Sequence, residues 1–444
     1  METLIQVAQL VLCLSILVVL HELGHFLPAK FFKTKVEKFY LFFNPWFSLA
    51  KKKIGETEYG IGWLPMGGYV KIAGMIDESM DKEQLKQEPK PWEYRSKPAW
   101  QRLIIILGGV IVNFLLAWLI YAVVFSTYGQ KYIAADKFQE TGLMFSEAAK
   151  MAGFEDGDRI LSVDGKTQPH FDRMVLDVLL GDTVQVQRNG EKVNIPLTDE
   201  RVKSFMNGAR KGGLMMPRSN YVVIDTLLPE GLNAQADLRK GDIIKAVNNE
   251  NITYYDEFLS VLKKHKNDSI VLKLERDNLL VDVSVAVSDS SKVGIGMQAP
   301  PMNASFLTVE KHSFLSAIPL AAKESWTSLK YQIKQFKLII RPKTEAYKQI
   351  SGPLRLFKVF DPGWNWEHFW KFTAMFSVWL GFINLLPIPG LDGGHAMFIL
   401  IEVITGKKPT EKTLEIAQTI GVIILLSLMA LVFGNDIWHL IKGT

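Results

Sequence analysis

The residues that could do chemistry begin with a histidine pair near the N-terminus, in His21-Glu22-Leu23-Gly24-His25. On a helix, residues four apart lie on one face, so both imidazoles could bind a single Zn2+. Glu22 lies about 100° around such a helix and could act as general base toward a water held at the metal. The five residues follow an apolar run, where ionisable groups are costly to bury. The pattern therefore predicts a hydrolytic metal site rather than an interfacial histidine pair.

A catalytic zinc usually has three protein ligands, so the two histidines leave one ligand to be found. Asp392 is the leading candidate, in the segment NLLPIPGLDGG that runs from Asn384 to Gly394. Its prolines and glycines predict a broken helix, which is tolerated at membrane depth only beside protein or a water-filled cavity. His395 is a rival ligand, but the glycines after Asp392 leave its carboxylate unobstructed. This ligand set suits Zn2+, and Fe2+ or Co2+ would also fit.

Four stretches without a charged residue are long enough to cross a hydrocarbon core of about 30 Å, at about 1.5 Å per helical residue. The N-terminal stretch follows Glu2 and lacks a cleavage site, so we expect a retained span and not a signal peptide. The sequence therefore predicts a polytopic α-helical membrane protein with four transmembrane helices. The predicted spans are Thr3–Leu20, Leu103–Gln130, Phe372–Leu391 and Ile416–Asn435.

The lysines predict how these spans are oriented. Several lysines follow the first span closely, and others occupy the short loop before the last span. Because basic loops stay inside, we expect the N-terminus outside, together with the long segment between the second and third spans. The first and third spans then run in the same direction. Their C-terminal ends, at His21 and Asp392, are expected at the same inner face of the membrane.

The outer segment contains an internal repeat. The residues from Phe154 to Gly165 are echoed from Leu238 to Asn249 at a spacing of 84 residues, and each copy ends in a pair of alternating strands. We therefore expect two small β-rich domains in tandem. Their Gly-Asp turn before an apolar strand resembles the PDZ fold, whose members bind an extended peptide beside a strand. A peptide ligand and a purely covering role are equally consistent with these residues.

Composition excludes two other classes of function. The 444 residues are 48% hydrophobic and 22% charged, and the net charge of +5 is small and dispersed. Nucleic-acid binding is therefore not expected. The single cysteine, Cys13, excludes an intrachain disulfide and any zinc cluster built from several thiolates.

The combination of HELGH after the first span, NLLPIPGLDGG at the end of the third and PDZ-like domains between the second and third resembles the site-2 protease family of intramembrane metalloproteases. The similarity covers nearly the whole chain and is greatest to the bacterial regulator of sigma E protease branch, which has two PDZ domains. It implies one Zn2+ per chain bound by His21, His25 and Asp392. Glu22 is the implied catalytic base, and Asn384 is implied to assist the substrate.

Two further segments resemble motifs of this family. Gly109-Val110-Ile111-Val112-Asn113 corresponds to its GxxxN element, and the segment from Gly60 to Lys71 resembles its membrane-reentrant β-hairpin, expected over about residues 55–76. An edge strand there could pair with an unwound substrate. The tract from Lys30 to Lys53 is expected to be a solvated or interfacial loop. The expected substrate-binding residues are Asn113, Gly67, Gly68, Tyr69 and Val70.

The sequence thus predicts five regions. Residues 1–130 and 372–444 form the two parts of the membrane core, residues 131–218 and 219–302 the PDZ-like domains, and residues 303–371 a linker. Within the linker, Phe314 to Ile340 has the pattern of an amphipathic helix, either on a membrane surface or packed against the protein.

The expected function is cleavage of transmembrane segments of single-pass proteins in a bacterial inner membrane. The active site is expected near the cytoplasmic face, with the PDZ-like domains on the periplasmic side. The resemblance implies anti-sigma factors already trimmed outside as substrates, with remnant signal peptides as further candidates, and membrane lipid is the other expected partner. Two alternatives are a metal transporter, which would need acidic residues within the spans, and a membrane-anchored PDZ scaffold, which would not need a complete set of metal ligands.

Overall fold

The computed structural model describes residues 2–65, 67–75, 88–138, 141–209, 214–220, 222–228, 231–297, 307–349, 352 and 356–442. Met66 and Ile76 of the predicted hairpin, and the domain boundary predicted at residues 302 and 303, lie outside these residues. The chain divides into two compact units. One comprises Met1–Gly129, Lys311–Lys337 and Lys348–Thr444, and the other comprises Gln130–Glu310 and Leu338–Tyr347.

The first unit begins with a long helix, a small sheet and a second long helix. Helix α1 (Glu2–Phe31) is apolar along most of its length and continues well past Leu20, the predicted end of the first span. A second apolar helix, α2, follows the sheet. The strands and this helix are β1 (Val36–Leu41), β2 (Ala50–Ile54), β3 (Thr57–Ile61), β4 (Tyr69–Ile72) and α2 (Ala99–Tyr128).

The order of the sheet corrects two expectations. The order is β2-β3-β1-β4, and β1 pairs in parallel with β3 and antiparallel with β4. The predicted hairpin is wrong, because β3 and β4 do not pair with each other but with β1, which lies between them. The expected loop from Lys30 to Lys53 is also wrong, since this tract supplies β1 and β2. Val36 and Tyr40 are buried on β1, and this strand is held in the centre while β4 forms one edge.

The sheet is attached to the helices through a shared apolar core. Val36 of β1 and Ile72 of β4 lie in one buried cluster with Ala29 of α1, Ile105 of α2 and Ala396 of a later helix. Burial of an aliphatic side chain of this size stabilises a fold by about 1.5–3 kcal/mol. The cluster therefore fixes the edge strand β4 relative to the helices that carry the candidate site residues.

The second unit contains the repeat, and each copy has its own elements. The first copy contains β5 (Gln130–Ile133), β6 (Leu143–Phe145), α3 (Glu147–Met151), β7 (Arg159–Val163), α4 (Phe171–Leu180), β8 (Thr183–Arg188), β9 (Glu191–Pro196), α5 (Asp199–Ala209) and β10 (Met215–Pro217). The second copy contains β11 (Ile224–Leu227), β12 (Ile243–Val247), β13 (Glu250–Asn251), α6 (Tyr255–Lys264), β14 (Ser269–Arg276), β15 (Leu279–Ala286) and β16 (Ile295–Met297). A last strand, β17 (Leu307–Glu310), pairs antiparallel with β5.

The repeat of the sequence recurs in these elements. β12 and α6 begin 84 residues after β7 and α4, respectively. In each copy an arginine donates two hydrogen bonds to a buried aspartate. Arg188 Nε lies 2.8 Å from Asp158 Oδ1, and Arg276 Nε lies 2.8 Å from Asp242 Oδ1. Each copy also has a separate buried apolar cluster, so the two are versions of one plan with separate cores.

The chain then continues as four helices. They are α7 (Phe314–Ile339), α8 (Trp366–Leu385), α9 (Asp392–Thr405) and α10 (Glu411–Lys442). Ala317 and Ala321 of α7 are buried in one cluster with Ile120 of α2 and Ala374 of α8. The amphipathic segment is therefore a helix packed against the protein and not one that only lies on a membrane surface. Short 3-10 helices cover Tyr94–Ser96, Ala135–Phe138, Pro342–Thr344, Ala346–Gln349 and Phe357–Val359.

Among the described residues, three helices are long and apolar enough to cross a membrane: Glu2–Phe31, Ala99–Tyr128 and Lys412–Asp436. The predicted third span, Phe372–Leu391, is wrong in its helical extent. α8 starts at Trp366 and ends at Leu385, and its first turns contain an acidic and a basic residue that lower its hydropathy. The chain then turns sharply, and α9 starts at Asp392.

Candidate metal centre

His21 and His25 lie one helical turn apart in α1, and both side chains are buried. Their rings meet edge to face with centroids 4.8 Å apart. We expected the motif at the end of the first span, but α1 continues to Phe31. The imidazoles therefore project from the interior of a helix, where the backbone is held on both sides by helical hydrogen bonds.

Glycines bring α2 against the histidines. A Cβ atom at Gly24 would collide with the carbonyl oxygen of Gly108, and one at Gly108 would collide with that of Gly24. A Cβ at Gly109 would collide with the ring of His25. Small residues at a helix crossing allow the two backbones to approach closely. Gly24, Gly108 and Gly109 therefore set how deeply α2 covers the imidazoles.

Asp392 is the first residue of α9 and not the last residue of a span. A carboxylate at this position is stabilised by the N-terminal end of the helix dipole. Cβ atoms at Gly393 and Gly394 would collide with the carbonyl oxygens of Leu386 and Ile388, in the turn that precedes α9. The two glycines are thus needed because this turn folds back onto the first turn of α9. That contact, more than an open path to the carboxylate, explains their presence.

The three candidate ligand atoms form a nearly equilateral triangle. Asp392 Oδ2 lies 3.5 Å from His21 Nε2 and 3.4 Å from His25 Nε2, and the two Nε2 atoms are 3.3 Å apart. Ligand atoms at about 2.0–2.2 Å from a tetrahedral zinc are about 3.3–3.5 Å from one another. The separations therefore fit one tetrahedral ion that is bound by all three side chains and keeps a fourth position open.

Each imidazole is oriented by a partner on its other side. His25 Nδ1 lies 2.9 Å from the carbonyl oxygen of Ile105 and donates to it, so Nε2 is left to bind a metal. His21 Nδ1 lies 3.1 Å from the side-chain nitrogen of Asn113, whereas Asn113 Oδ1 has no hydrogen-bond partner among the described residues. Rotation of the Asn113 amide by a half-turn exchanges its oxygen and nitrogen positions. His21 Nδ1 then donates to Asn113 Oδ1, and both atoms are hydrogen-bonded. Both histidines then present Nε2 to the same point.

Two further atoms bear on a metal at this point. Asp392 Oδ2 is buried and is not hydrogen-bonded to any described residue. A buried carboxylate oxygen without a partner is costly, and a cation would remove that cost. Asn384, near the end of α8, places its side-chain nitrogen 3.2 Å from His21 Nε2. Its amide is therefore beside the candidate metal position, where it can contact a substrate.

The ligand atoms open into a cavity of about 500 Å³. Glu22 lines it together with His21 and His25, and the edge strand β4 forms part of its wall. The cavity therefore brings the proposed base, the candidate ligands and a strand edge to one space. Its lining residues are Val18, His21, Glu22, His25, Phe43, Gly67, Gly68, Tyr69, Val70, Ile72, Met75, Ile106, Leu380, Asn384, Gly390, Leu391, Asp392, His395 and Gln418.

One predicted substrate residue lies elsewhere than expected, and the rival ligand His395 is not in the candidate ligand group. Asn113 is fully buried behind His21 and is not among the described cavity-lining residues, so it contacts a ligand and not the substrate space. His395 lines the cavity, but the one group of three metal-binding side chains among the described residues is His21, His25 and Asp392. The other predicted substrate residues, Gly67, Gly68, Tyr69 and Val70, all line the cavity.

Sequence reasoning missed two features of this site. The carbonyl of Ile105 orients His25, but any residue supplies a carbonyl, so its sequence carries no signal. The contact between Gly24 and Gly108 did have a signal, because each glycine lies within an apolar helix near a motif residue. Glycines in such positions indicate close helix packing.

Comparisons with known proteins agree with this geometry. A profile of Peptidase family M50 matches residues 9–428. The chain is 28% identical to "Regulator of sigma-E protease RseP" of Escherichia coli (strain K12), over 97% of each chain. It is 27% identical to "Protease RseP" of Yersinia pestis, over 98% of this chain and 99% of the relative. A relative in Xylella fastidiosa (strain 9a5c), with the provisional name zinc metalloprotease, is 29% identical over 96% of this chain and 97% of the relative. The chain therefore belongs to Peptidase family M50 and is a metalloprotease of the site-2 protease type.

Proposed function

We propose that this protein is an intramembrane zinc endopeptidase of the sigma-E pathway type, which hydrolyses a peptide bond within the transmembrane segment of a single-pass protein. The observation that carries the proposal is the triangle of ligand atoms from His21, His25 and Asp392, with sides of 3.3, 3.5 and 3.4 Å. It opens into a cavity that Glu22 also lines. The names of its relatives, which include regulators of sigma-E protease, support the same assignment.

The chain's own residues fit one Zn2+ per chain. His21 and His25 would bind it through Nε2 and Asp392 through Oδ2. When bound, Zn2+ supplies a Lewis acid that polarises the scissile carbonyl and lowers the pKa of a coordinated water to about 7. Asn113 and the Ile105 carbonyl hold the two imidazoles in the tautomer that this binding needs.

Two side chains serve the reaction itself. Glu22 is the general base, which takes the proton of the attacking water and later delivers it to the leaving amide nitrogen. Asn384 donates from its side-chain nitrogen to the carbonyl oxygen of the scissile bond, where negative charge develops. Its position 3.2 Å from His21 Nε2 supports this role.

The edge strand β4 is proposed to hold the substrate. A carbonyl in a transmembrane helix is hydrogen-bonded within the helix, so the substrate must unwind before it is cut. Unwinding leaves polar backbone groups that cost several kcal/mol each in an apolar environment. Among the described strands β4 pairs only with β1, and its residues Tyr69 and Val70 line the cavity. Addition of the substrate as a further strand would satisfy half of the exposed groups.

The membrane arrangement extends the proposal. We propose α8 as a fourth span, because its residues from Phe372 to Leu385 are uncharged and several pack against α1. The protein then lies in a bacterial inner membrane with its active site near the cytoplasmic face. The basic residues that follow α1 support this orientation.

The repeat copies are proposed to be PDZ-like domains on the periplasmic side. The shared elements at a spacing of 84 residues and the repeated arginine–aspartate pair support a duplicated small domain. We propose the boundaries 131–218 and 219–302 for them, 303–371 for the linker, and 1–130 and 372–444 for the membrane core. Trimmed anti-sigma factors are the proposed substrates. A peptide ligand of one domain would follow from the PDZ-like plan.

The test is cleavage of a model single-pass substrate by the purified protein in proteoliposomes. We expect cleavage within the substrate's transmembrane segment, loss of cleavage with a zinc chelator, and recovery when zinc is restored. Glu22→Gln is the matched control, because it should remain inserted and bind zinc without cleaving. Cleavage that persists in Glu22→Gln, or that is indifferent to the chelator after measured zinc removal, would contradict the proposal.

A further inference from the structure

One polar side chain of the cavity has no role in the chemistry above. Gln418 of α10 is 4% exposed and lines the same cavity as Glu22 and Asp392. Its amide makes no hydrogen bond with another residue in the described part of the chain. Buried amides in proteins are almost always hydrogen-bonded, because an unpaired one loses its interaction with water without compensation. A buried amide that faces a cavity and lacks a partner among the described residues is placed to hydrogen-bond a ligand.

Packing around Gln418 holds it in place. Gly421 lies three residues further along α10, on the same helix face as Gln418. A Cβ at Gly421 would collide with the carbonyl oxygen of Pro389, so α10 lies directly on the turn that leads to Asp392. A helix pressed this closely against the turn cannot rotate Gln418 away from the cavity without losing the contact. The backbone at Gln418 is therefore held beside the cavity, which the side chain lines.

A second buried glutamine in this unit has a structural bond through its donor group, although its Oε1 atom has no hydrogen-bond partner among the described residues. Gln9 of α1 is fully buried, and its side-chain nitrogen donates to the carbonyl oxygen of Asp361 at 2.9 Å. That bond ties the helix to a neighbouring segment. Gln418 is similarly buried but makes no such bond to a described residue, so a structural tie within that part of the chain does not account for it.

We propose that the Gln418 carboxamide hydrogen-bonds to the peptide backbone of the bound substrate. This inference rests on the proposed function and adds a residue that binds the substrate in it. A primary amide offers two N–H donors and a carbonyl acceptor, which match the C=O and N–H of a peptide group. An extended substrate has two hydrogen-bonding edges, and β4 can pair with only one of them. Gln418 satisfies groups on the edge that β4 leaves without a partner.

This role predicts tolerance of substrate sequence. Recognition of backbone groups depends on the extended conformation and not on the side chains that the substrate carries. Gln418 would therefore contribute similarly to substrates of different sequence, provided that each can unwind. It would contribute nothing to zinc binding, because His21, His25 and Asp392 hold the ion without it.

The experiment measures binding first, so that it does not depend on catalysis. A fluorescent single-pass substrate peptide is titrated into proteoliposomes that contain Glu22→Gln, Glu22→Gln with Gln418→Leu, or Glu22→Gln with Gln9→Leu. We expect the Gln418→Leu change to weaken binding about fivefold to tenfold, the effect of one or two lost hydrogen bonds. Zinc content should stay stoichiometric in all three. Gln9→Leu, the matched loss of a buried amide, should lower the thermal stability and leave binding within about twofold.

A second measurement locates the contact on the substrate backbone. Single amides of the substrate are replaced in turn by esters, which removes one N–H at each position. One position should weaken binding severalfold in the Gln418-containing protein and have no effect in Gln418→Leu. Unchanged affinity of Gln418→Leu, or ester effects that are the same in both proteins at every position, would overturn the proposal. Absence of zinc-dependent cleavage by the wild-type protein would instead overturn the proposed function and leave the binding result interpretable.

Discussion

Buried aspartates in two regions of this protein have opposite surroundings. Asp158 and Asp242 of the repeat copies have side chains that are 0% and 1% exposed, and each is held by an arginine that donates two hydrogen bonds. Asp392 has a side chain that is 16% exposed and faces two imidazoles, and its Oδ2 has no hydrogen-bond partner among the described residues. A carboxylate beside a permanent cation is neutralised by the fold. A carboxylate beside two imidazoles whose Nε2 atoms point toward it has no such permanent cation. A bound metal ion would neutralise it.

The difference separates stability from function. Breaking a buried ion pair leaves a charge without compensation, so the arginine-paired aspartates should matter for folding. Asp392 is instead held by the N-terminus of α9 and by the turn before it, whether or not an ion is present. We therefore expect changes at Asp392 to alter metal binding and catalysis, and changes at Asp158 and Asp242 to alter stability alone.

The largest effect is expected at the metal centre. Glu22→Gln should lower the cleavage rate about 10²–10⁴-fold, the usual contribution of a general base, and should retain stoichiometric zinc. Asp392→Ala should lose cleavage together with most of the zinc. Metal analysis of the purified variants distinguishes the two roles. Undiminished zinc in Asp392→Ala would remove Asp392 from the ligand set and make His395 the next candidate.

Removal of the aspartate from an arginine–aspartate pair should have the next largest effect, which is on the stability of the repeat copies. Asp158→Asn or Asp242→Asn should lower the free energy of unfolding of its own repeat copy by about 1.5–3 kcal/mol, because the arginine loses its buried charged acceptor and keeps only a more exposed carboxylate, Glu155 or Asp237. Hydrogen exchange in β8 and β14 would report each copy separately. Zinc content and cleavage per folded molecule should match wild type. Equal destabilisation of both copies by one substitution would contradict their independence.

The partner of His21 should have an intermediate effect. Asn113→Leu should weaken zinc binding about 10–100-fold, because His21 loses its side-chain partner and keeps only its hydrogen bond with the Gly109 backbone. Asn113→Asp keeps an oxygen at that position and should retain more of the affinity. Competition with a chelator of known affinity gives the values. Equal losses in both variants would mean that the acceptor does not matter and that Asn113 acts by packing.

Proline in the edge strand should slow cleavage about tenfold by removing one hydrogen bond to the substrate. Successive residues of a strand direct their N–H groups to opposite edges. One of the two variants, Tyr69→Pro or Val70→Pro, therefore removes an N–H that pairs with β1. The other removes an N–H at the free edge that faces the cavity. The variant that retains wild-type thermal stability and zinc is the informative one.

A substrate with a central Gly pair should be cleaved faster than a Leu-rich one in wild type, because it leaves the helix more easily. Equal rates for both substrates would count against capture by strand addition.

The smallest expected effect is the pH dependence of the stability of the second repeat copy. Burial raises the pKa of Asp242, but hydrogen bonds from Arg276 and from the backbone N–H of Arg239 bring it below its ordinary value overall. A lowered pKa means that the carboxylate contributes its stability above the unfolded pKa of about 4 and loses it as the pH falls through the folded value. The stability difference between wild type and Asp242→Asn should therefore shrink as the pH falls below about 4. Denaturant unfolding at several pH values measures it, and a difference that grows in acid would reverse the assignment.

Sequence analysis could predict the three candidate ligands because each of the two motifs is local in the chain, although a bound metal ion stays a prediction. HELGH and NLLPIPGLDGG each place their side chains within one turn of helix or one tight loop, and the structure brings His21, His25 and Asp392 together. The extent of the third span was wrong because a charge-free stretch need not be one helix. Prolines after Leu385 end α8, and Asp392 begins the next helix.

The sheet could not be predicted in the same way. Pairing of strands is a contact between distant residues, and β1 lies in a basic, aromatic tract without the strict alternation of a half-buried strand. The parallel pairing of β1 with β3 has no local signal, so the segment from Gly60 to Lys71 was interpreted as a hairpin. The edge position of β4 was nevertheless foreseen in part, because Tyr69 and Val70 were expected in a strand that can accept a partner.

The short connection between α1 and β1 has a consequence for the products. α1 ends at Phe31 and β1 begins at Val36, and β1 pairs directly with the edge strand β4. The helix that carries the histidine pair is therefore joined to β4, the strand proposed to hold the substrate, through the short connection, the pairing with β1 and a shared core. This arrangement fixes the distance between the histidine pair and the captured strand of the substrate. Cleavage should fall at a set number of residues from the captured strand, so substrates of unrelated sequence should yield fragments whose new ends lie at the same depth.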